Sequence, residues 1–465
     1  MHSNQRSKRS LTMIVSQLAG HKKAAGNMLV LFLGKSAGLF VGLLFLPMYH
    51  RYLGSAQFGI VAVVLSLQAL LTMMDLGMST IVGREASTSA TESTYRLVLS
   101  AEVGLTGFYV CLAVASLVAQ EVGLLGSIDA KGVFASVILF WALVLQNLYF
   151  SVLLAKRSYT IASSTQIVGS LIRACVSAYV LAFVSATLDS FLCTQAFFAI
   201  MHAMLTRYYC KKALAHPGMS EHTKPAPSEV ASLIRHGLDL VVFSAAGAAV
   251  TQLDKPIVSA LASANDVAPY FLAMTVCMVP ISLLASPISQ FFQPRVLAEV
   301  IGNKHSEAAK TTRHFVYVIL TATIAPAIVL WIWRLPLIDL WLRHDPIAAT
   351  VADYVAILLP GYVIGSLGFV PYALLVAARE YRFQALSSVV LTALTLCVAA
   401  LAASKGNIKA VCWTYAVYHS LSTTVSWIRA AISSTVGPAA KVSLKIAAKV
   451  LVVIAIGGYV VNQLM

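Results

Sequence analysis

Charge is what this sequence has least of. Asp, Glu, Lys and Arg together make up 11% of its 465 residues, against roughly 25% in a soluble domain. A soluble protein of that length would lack the polar side chains to cover its own surface. Lipid is therefore the solvent for most of the chain, in keeping with a mean hydropathy of +0.81. Paired cysteines are missing too. The seven cysteines (Cys111, Cys175, Cys193, Cys210, Cys277, Cys397, Cys412) are odd in number, include no C-x-x-C and fall inside or beside apolar stretches. They read as small buried hydrophobes rather than a disulfide framework or a metal site. Alternation with a period of two is absent, which argues against an outer-membrane barrel. No nucleophile elbow, metal-spaced His cluster or phosphate-cradling Gly loop occurs. The first apolar run is too long for a signal-peptide core and has no A-x-A-like site, so it is expected to stay as a span.

What is abundant is long apolar runs. A hydrocarbon core of ~30 Å takes roughly 20 residues of helix at 1.5 Å rise. By that measure, spans are expected at about 28–50, 57–82, 95–118, 131–155, 162–186, 188–210, 236–262, 267–293, 312–334, 348–378, 383–404 and 408–430, with a thirteenth at 442–463. The expected fold class is an all-α polytopic membrane protein. Its parts are a cytoplasmic N-terminal segment (1–27), a six-helix lobe (28–210), a cytoplasmic linker (211–235), a second six-helix lobe (236–430) and an additional C-terminal helix (431–465). The linker carries His216-Pro217-Gly218 and Pro225-Ala226-Pro227.

The net charge of +15 would suggest nucleic acid in a soluble protein. Its placement gives a different reading. With the N-terminus in the cytoplasm, most of the 33 basic residues fall in inside segments, and only Arg51, Lys131, Arg334, Arg343, Lys405 and Lys409 fall outside. This is the positive-inside pattern of an inner-membrane protein, and it leaves no reason to expect a nucleic-acid partner.

The two halves resemble each other at matching places. Tyr52-Leu53-Gly54 to Phe58-Gly59-Ile60 and Leu261-Ala262-Ser263 to Pro269-Tyr270 both put a short turn of small and polar residues before the next helix. Two lobes of like orientation are a transporter pattern. The stretch from Leu46-Pro47 to Arg84, with Tyr52-Leu53-Gly54, Phe58-Gly59-Ile60 and Asp75-Leu76-Gly77, resembles the opening of the Wzx-type O-antigen and polysaccharide flippases, part of the multidrug/oligosaccharidyl-lipid/polysaccharide exporter superfamily. Asp254-Lys255 through Tyr270 resembles their seventh-span signature, in which an acid precedes a small-residue turn and a Tyr. The resemblance implies two pseudo-symmetric six-helix bundles around a V-shaped central cavity. It also implies a cargo of undecaprenyl-pyrophosphate-linked oligosaccharide, turned from the cytoplasmic to the periplasmic leaflet for O-antigen, lipopolysaccharide or other surface polysaccharide. Implied partners are membrane lipids, a polysaccharide polymerase and a chain-length regulator. No cofactor is implied beyond coupling to an H⁺ or Na⁺ gradient. A thirteenth span departs from the twelve or fourteen usual in the family.

Charges inside spans are costly and so are functional candidates. Lys35, Arg173 and Lys255 are the cations, expected to attract an anionic cargo. Arg173 stands near the middle of its span, and its planar fork matches phosphate oxygens. Asp75, Glu102 and Asp254 are the acids, expected to couple an ion or to balance charge. Lys35, Asp75 and Glu102 share a depth on the order of 10 Å into the core. An internal ion-pair network is an equal reading of that trio, and Asp75 before Leu76-Gly77 is also suited to capping a helix break. Lys255 and Asp254, just before Pro256, read equally as a gate and as a neutralised pair at a helix break. Gly34, Gly38 and Gly42 form a small-residue packing stripe, and Pro360-Gly361 is the expected hinge. Trp331, Trp333 and Trp341 fit an interfacial belt. Two alternatives stay open: an ion-coupled multidrug exporter of the same superfamily, and a membrane glycosyltransferase or O-antigen polymerase. The small outer segments count against an enzyme.

Overall fold

The structure, a computed structural model, describes residues 34, 38, 40–72, 75, 77–88, 91–122, 129–214 and 227–449. Among these, every regular element is a helix. In chain order they are α1 (Phe40–Thr72), α2 (Met78–Thr88), α3 (Thr91–Glu121), α4 (Ala130–Ala155), α5 (Tyr159–Phe183), α6 (Leu188–Leu214), α7 (Pro227–Gln252), α8 (Asp254–Leu261), α9 (Ala264–Ile301), α10 (His305–Ile332), α11 (Arg334–Trp341), α12 (Ala348–Ser366), α13 (Phe369–Ala377), α14 (Tyr381–Ser404) and α15 (Ile408–Ile432). A further helix covers 437–449. The chain is an all-α, multi-pass membrane protein.

Eight helices among the described residues are long and apolar enough to cross a membrane, or nine if the two arms of α9, bent by 42°, count as one span. The sequence reading of twelve to thirteen spans covers the whole chain, and several of them take another form among the described residues. The expected first and second spans run together in α1, where Gly54 at φ +73 marks the predicted turn. The expected seventh span is broken between α7 and α8. The expected twelfth, α15, is 25 residues long, but its middle is interrupted by His419, Ser420, Ser422, Thr423 and Thr424. Of the expected last helix, 437–449 is described, and 450–463 lies outside the described residues.

The chain divides into two compact units. The first comprises Met1–Phe45 and Met74–Val241. At its centre is α4, buried over 72% of its most apolar window, whereas α3 and α5 are each 33% buried. A helix apolar on all sides belongs at a core, and α4 packs against α2, α3 and α6. Asp129 starts it by accepting the Gly132 N–H at 2.7 Å, which satisfies one of the donors a helix start leaves open.

The second unit comprises Leu46–Met73 and Val242–Met465. It takes in most of α1, which the sequence reading groups with 28–210. The cause is close packing: a Cβ on Gly59 would lie 1.8 Å from the Ala264 carbonyl oxygen, and Phe58 meets Phe271 edge-on at 6.1 Å. The apolar core of this unit joins α9, α10, α13, α15 and 437–449 through residues such as Val296, Phe315, Leu374, Trp427 and Ala440. The described part of the extra C-terminal helix is thus docked on the second unit.

The small-residue stripe lies elsewhere than expected. A Cβ on Gly34 would meet Ser163 of α5, but among the described residues nothing stands within 4 Å of a Cβ placed on Gly38 or Gly42. The close seam is instead between α12 and α15, where Gly361, Gly365 and the following Gly368 face Ala416, His419 and Thr423. Without a hydrophobic drive between helices in lipid, such close backbone approach is a main source of association.

Candidate functional site

Lys35 lies outside the described residues. Each of the other charges singled out from the sequence has a definite setting, and most are paired.

In the first unit, Glu102 on α3 and Arg207 on α6 form a two-pronged ion pair, Nε to Oε1 at 2.8 Å and an outer guanidinium nitrogen to Oε2 at 2.6 Å. Glu102 is 14% exposed and Arg207 37%, and the buried Tyr149 hydroxyl on α4 is within hydrogen-bonding reach of both. Parallel charge-assisted bonds of this kind fix orientation as well as energy. Arg207 was absent from the sequence candidates because it falls at the edge of an apolar run, where an ordinary loop cation would also fall.

Asp75 does not share that pair. Its Oδ2 accepts the backbone N–H of Ser79 at 3.2 Å and the side-chain amide of Asn147 at 3.4 Å. Its carbonyl accepts the N–H of Met78 at 3.2 Å, and Gly77 takes φ +66. This is the capping geometry its sequence context suggested: the carboxylate closes the start of α2.

Arg173 is half-buried on α5, within electrostatic reach of His202 on α6. His202 is 4% exposed and fits there because position 169 is glycine; a Cβ would lie 2.5 Å from the imidazole ring. The sequence signal for His202 was present, an ionisable residue within a span, but no neighbouring charge in the sequence drew attention to it.

In the second unit, Asp254 and Lys255 stand together at the break between α7 and α8. Lys255 Nζ is 2.8 Å from Asp254 Oδ1 and donates to the Thr251 carbonyl at 2.8 Å. Tyr270 on α9 donates its hydroxyl to Asp254 Oδ2 at 2.7 Å. Asp254 is fully buried and Lys255 is 5% exposed. The acid, turn and Tyr of the sequence signature therefore close into one contact. The electrostatics of the break agree: the cation meets the carbonyl end of α7 and the anion the amide end of α8. Around Tyr270 lie Tyr415, with ring centroids 6.4 Å apart, and Tyr362, which stacks at a tilt on His419 at 4.3 Å.

Pro360-Gly361 lies inside α12, which continues past it to Ser366. Gly361 is pressed against α15, where a Cβ would lie 2.4 Å from the Ala416 Cα. The interruption in this span comes later, between α12 and α13. His50 closes the first expected span, 28–50. It is 4% exposed, with Nδ1 3.2 Å from Asp345 Oδ2 and Nε2 3.1 Å from the Ser55 hydroxyl. No group of three or more His, Cys, Asp or Glu able to hold a metal occurs among the described residues.

A family model described as polysaccharide biosynthesis protein matches residues 24–296, and one described as MatE matches 240–401. The first bears out the family resemblance read from the sequence. No curated protein matches the chain. Among solved structures, the fold is similar to that of the lipid II flippase MurJ in an inward closed conformation. That match has a TM-score of 0.66 and 14% identity, over 93% of this chain and 92% of the other. It is also similar to an inward-facing multidrug resistance MATE family transporter of the MOP superfamily, with a TM-score of 0.64 and 12% identity, over 86% of this chain and 93% of the other. A third match is a MOP superfamily transporter from Pyrococcus furiosus, described as having a binding pocket of reversed polarity. Its TM-score is 0.58 at 12% identity, over 87% of this chain and 94% of the other. The chain thus has the fold of MOP-superfamily transporters.

Proposed function

Given that the chain belongs to the polysaccharide biosynthesis protein family, we propose that it is a flippase that carries undecaprenyl-pyrophosphate-linked oligosaccharide units from the cytoplasmic to the periplasmic leaflet by alternating access. The product serves O-antigen or another surface polysaccharide, and the protein works in the bacterial inner membrane with its N-terminus in the cytoplasm. The family match across more than half of the chain carries this reading. Arg173 supports it, a half-buried cation in the middle of an apolar helix suited to a phosphate group. Asp75, Glu102 and Asp254 are the acids through which an ion gradient would act. A polymerase and a chain-length regulator would receive the translocated units.

Deletion of the gene tests the proposal. The expected result is lipid-linked oligosaccharide trapped on the cytoplasmic leaflet. Unpolymerised units accumulating on the outer face would overturn it in favour of a polymerase. Arg173→Ala should abolish surface polysaccharide at unchanged protein level; unchanged export would remove Arg173 from the cargo path. The second match, to MatE over 240–401, favours a multidrug exporter as the second reading. That reading requires the deletion strain to become drug-sensitive with its surface polysaccharide intact.

A further inference from the structure

The C-terminal end of α9 and the first turns of α10 line a half-open cavity of about 360 Å³ within the second unit. Its floor holds Glu299, 8% exposed. Glu299 Oε1 accepts from Arg295 Nε at 3.1 Å and from the Thr311 hydroxyl at 3.0 Å. The other carboxylate oxygen, Oε2, is buried with no hydrogen-bond partner. Arg295, 65% exposed, stands at the rim with Lys310 and His314, both exposed. Phe292 forms one wall, held flat by stacking on Phe315 at 5.0 Å and 11°.

This lining selects a ligand of mixed character. A bare phosphate would find Arg295 and Lys310, but it would also meet the carboxylates of Glu299 and Glu307. A simple cation would meet the reverse. A phosphate ester bearing hydroxyl groups satisfies both: its phosphate takes the guanidinium fork and the ammonium. Its hydroxyls supply the donor that Glu299 Oε2 lacks, since buried polar groups are normally paired. The volume is near the lower end of small-molecule pockets, roughly 300–1,000 Å³, which suits one phosphorylated sugar ring and not an oligosaccharide. The cavity follows Pro294-Arg295, on the side that the distribution of basic residues assigns to the cytoplasm.

We propose that this cavity is a docking site for the hydroxylated phosphate headgroup of the lipid-linked sugar, occupied in the cytoplasmic leaflet before translocation. The inference rests on the flippase function proposed above. Two other sources offer the same chemistry, a phosphatidylglycerol headgroup and a free sugar phosphate, and the experiment separates them.

The full-length protein in phosphatidylethanolamine nanodiscs is titrated with three probes: a short-chain polyprenyl-pyrophosphate-linked N-acetylglucosamine, phosphatidylglycerol and glucose 1-phosphate. The polyprenyl probe is expected to bind more tightly than the other two by at least tenfold. Lys310→Ala and Glu299→Gln are each expected to weaken it by tenfold or more. Equal affinity for phosphatidylglycerol or for glucose 1-phosphate would overturn the assignment to lipid-linked sugar. Wild-type binding that neither variant weakens would overturn the site itself. Lys310→Ala decides if Glu299→Gln misfolds, because Lys310 is on the surface. Failure of the flippase reading has a different signature: no binding of the polyprenyl probe by the wild-type protein, and normal surface polysaccharide in the deletion strain.

Discussion

In the first unit α4 ends in a turn where the N–H groups of Lys156, Arg157 and Ser158 bond to the carbonyls of Val152, Leu154 and Leu153, with Arg157 at φ 58. In the second unit α13 ends the same way. Ala378, Arg379 and Glu380 bond to Leu374, Val376 and Leu375, with Arg379 at φ 57. A tyrosine then opens the next helix in both, Tyr159 in α5 and Tyr381 in α14. The backbones match, but the charges they carry do not. In the second unit the turn supplies Glu380, which grips Arg429 of α15 through both carboxylate oxygens at 2.8 Å. In the first unit the same place holds Ser158, and Arg207 of α6 reaches an acid on a separate helix, Glu102 of α3. One arginine is therefore anchored at a helix end and the other against a second span. The duplicated architecture keeps its turns and reassigns its acids, so the sites of the two units need not have the same chemistry.

The two units differ most at the buried Asp254–Lys255 pair of the second, which has no equally buried counterpart among the described ion pairs of the first. Lys255→Ala leaves Asp254 charged and enclosed, and should cost about 3–5 kcal/mol in equilibrium unfolding from mixed micelles. Asp254→Ala in the same chain should restore part of that. Next come the two arginine partners. Glu102→Ala should cost about 1.5–3 kcal/mol, as expected for a charge-assisted contact. Glu380→Ala, whose acid is 24% exposed against 14% for Glu102, should cost about 1 kcal/mol or less. Double-mutant cycles with Arg207→Ala and Arg429→Ala measure the two couplings. Equal couplings would refute the distinction drawn between the units. Gly361→Ala should cost about 1–3 kcal/mol through overpacking, while Gly42→Ala, whose added Cβ has no described atom within 4 Å, should be neutral or slightly stabilising in the same assay. The smallest effect belongs to Ser158→Glu. It gives the first unit the second unit's turn residue and should shift stability by less than about 0.5 kcal/mol. A larger gain would mean that Arg207 can exchange partners.

Much of this architecture was legible in the apolar runs. The expected spans at 95–118, 131–155, 162–186, 188–210, 312–334 and 383–404 each lie largely within α3, α4, α5, α6, α10 and α14, because a helix in lipid must satisfy its backbone internally and so declares its length. Asp254, Lys255 and Tyr270 were legible for a similar reason, since their partners are near in sequence. Glu102 and Arg207 are 105 positions apart, and nothing local specifies that they meet. Residue spacing did suggest a glycine stripe, but on the first expected span, because spacing shows which residues share a face and not whether another helix covers that face. The broken spans were hidden for a related reason. Polar residues such as Gln252 and His419 look like faults in an apolar run until the structure shows what surrounds them.

The seam between α12 and α15 also limits how the second unit can deform. Glycines at 361 and 365 are four residues apart, so the next position at which a backbone can seat equally deep is about 6 Å along the axis at 1.5 Å per residue. Smaller slides would drive Ala416 or His419 against side chains where glycine now gives them room. Like a gear with coarse teeth, this helix pair holds its register or skips a whole step. Gradual movement in this unit must then be taken up where the helices are already interrupted, at the end of α7 before Asp254 and at Leu367-Gly368.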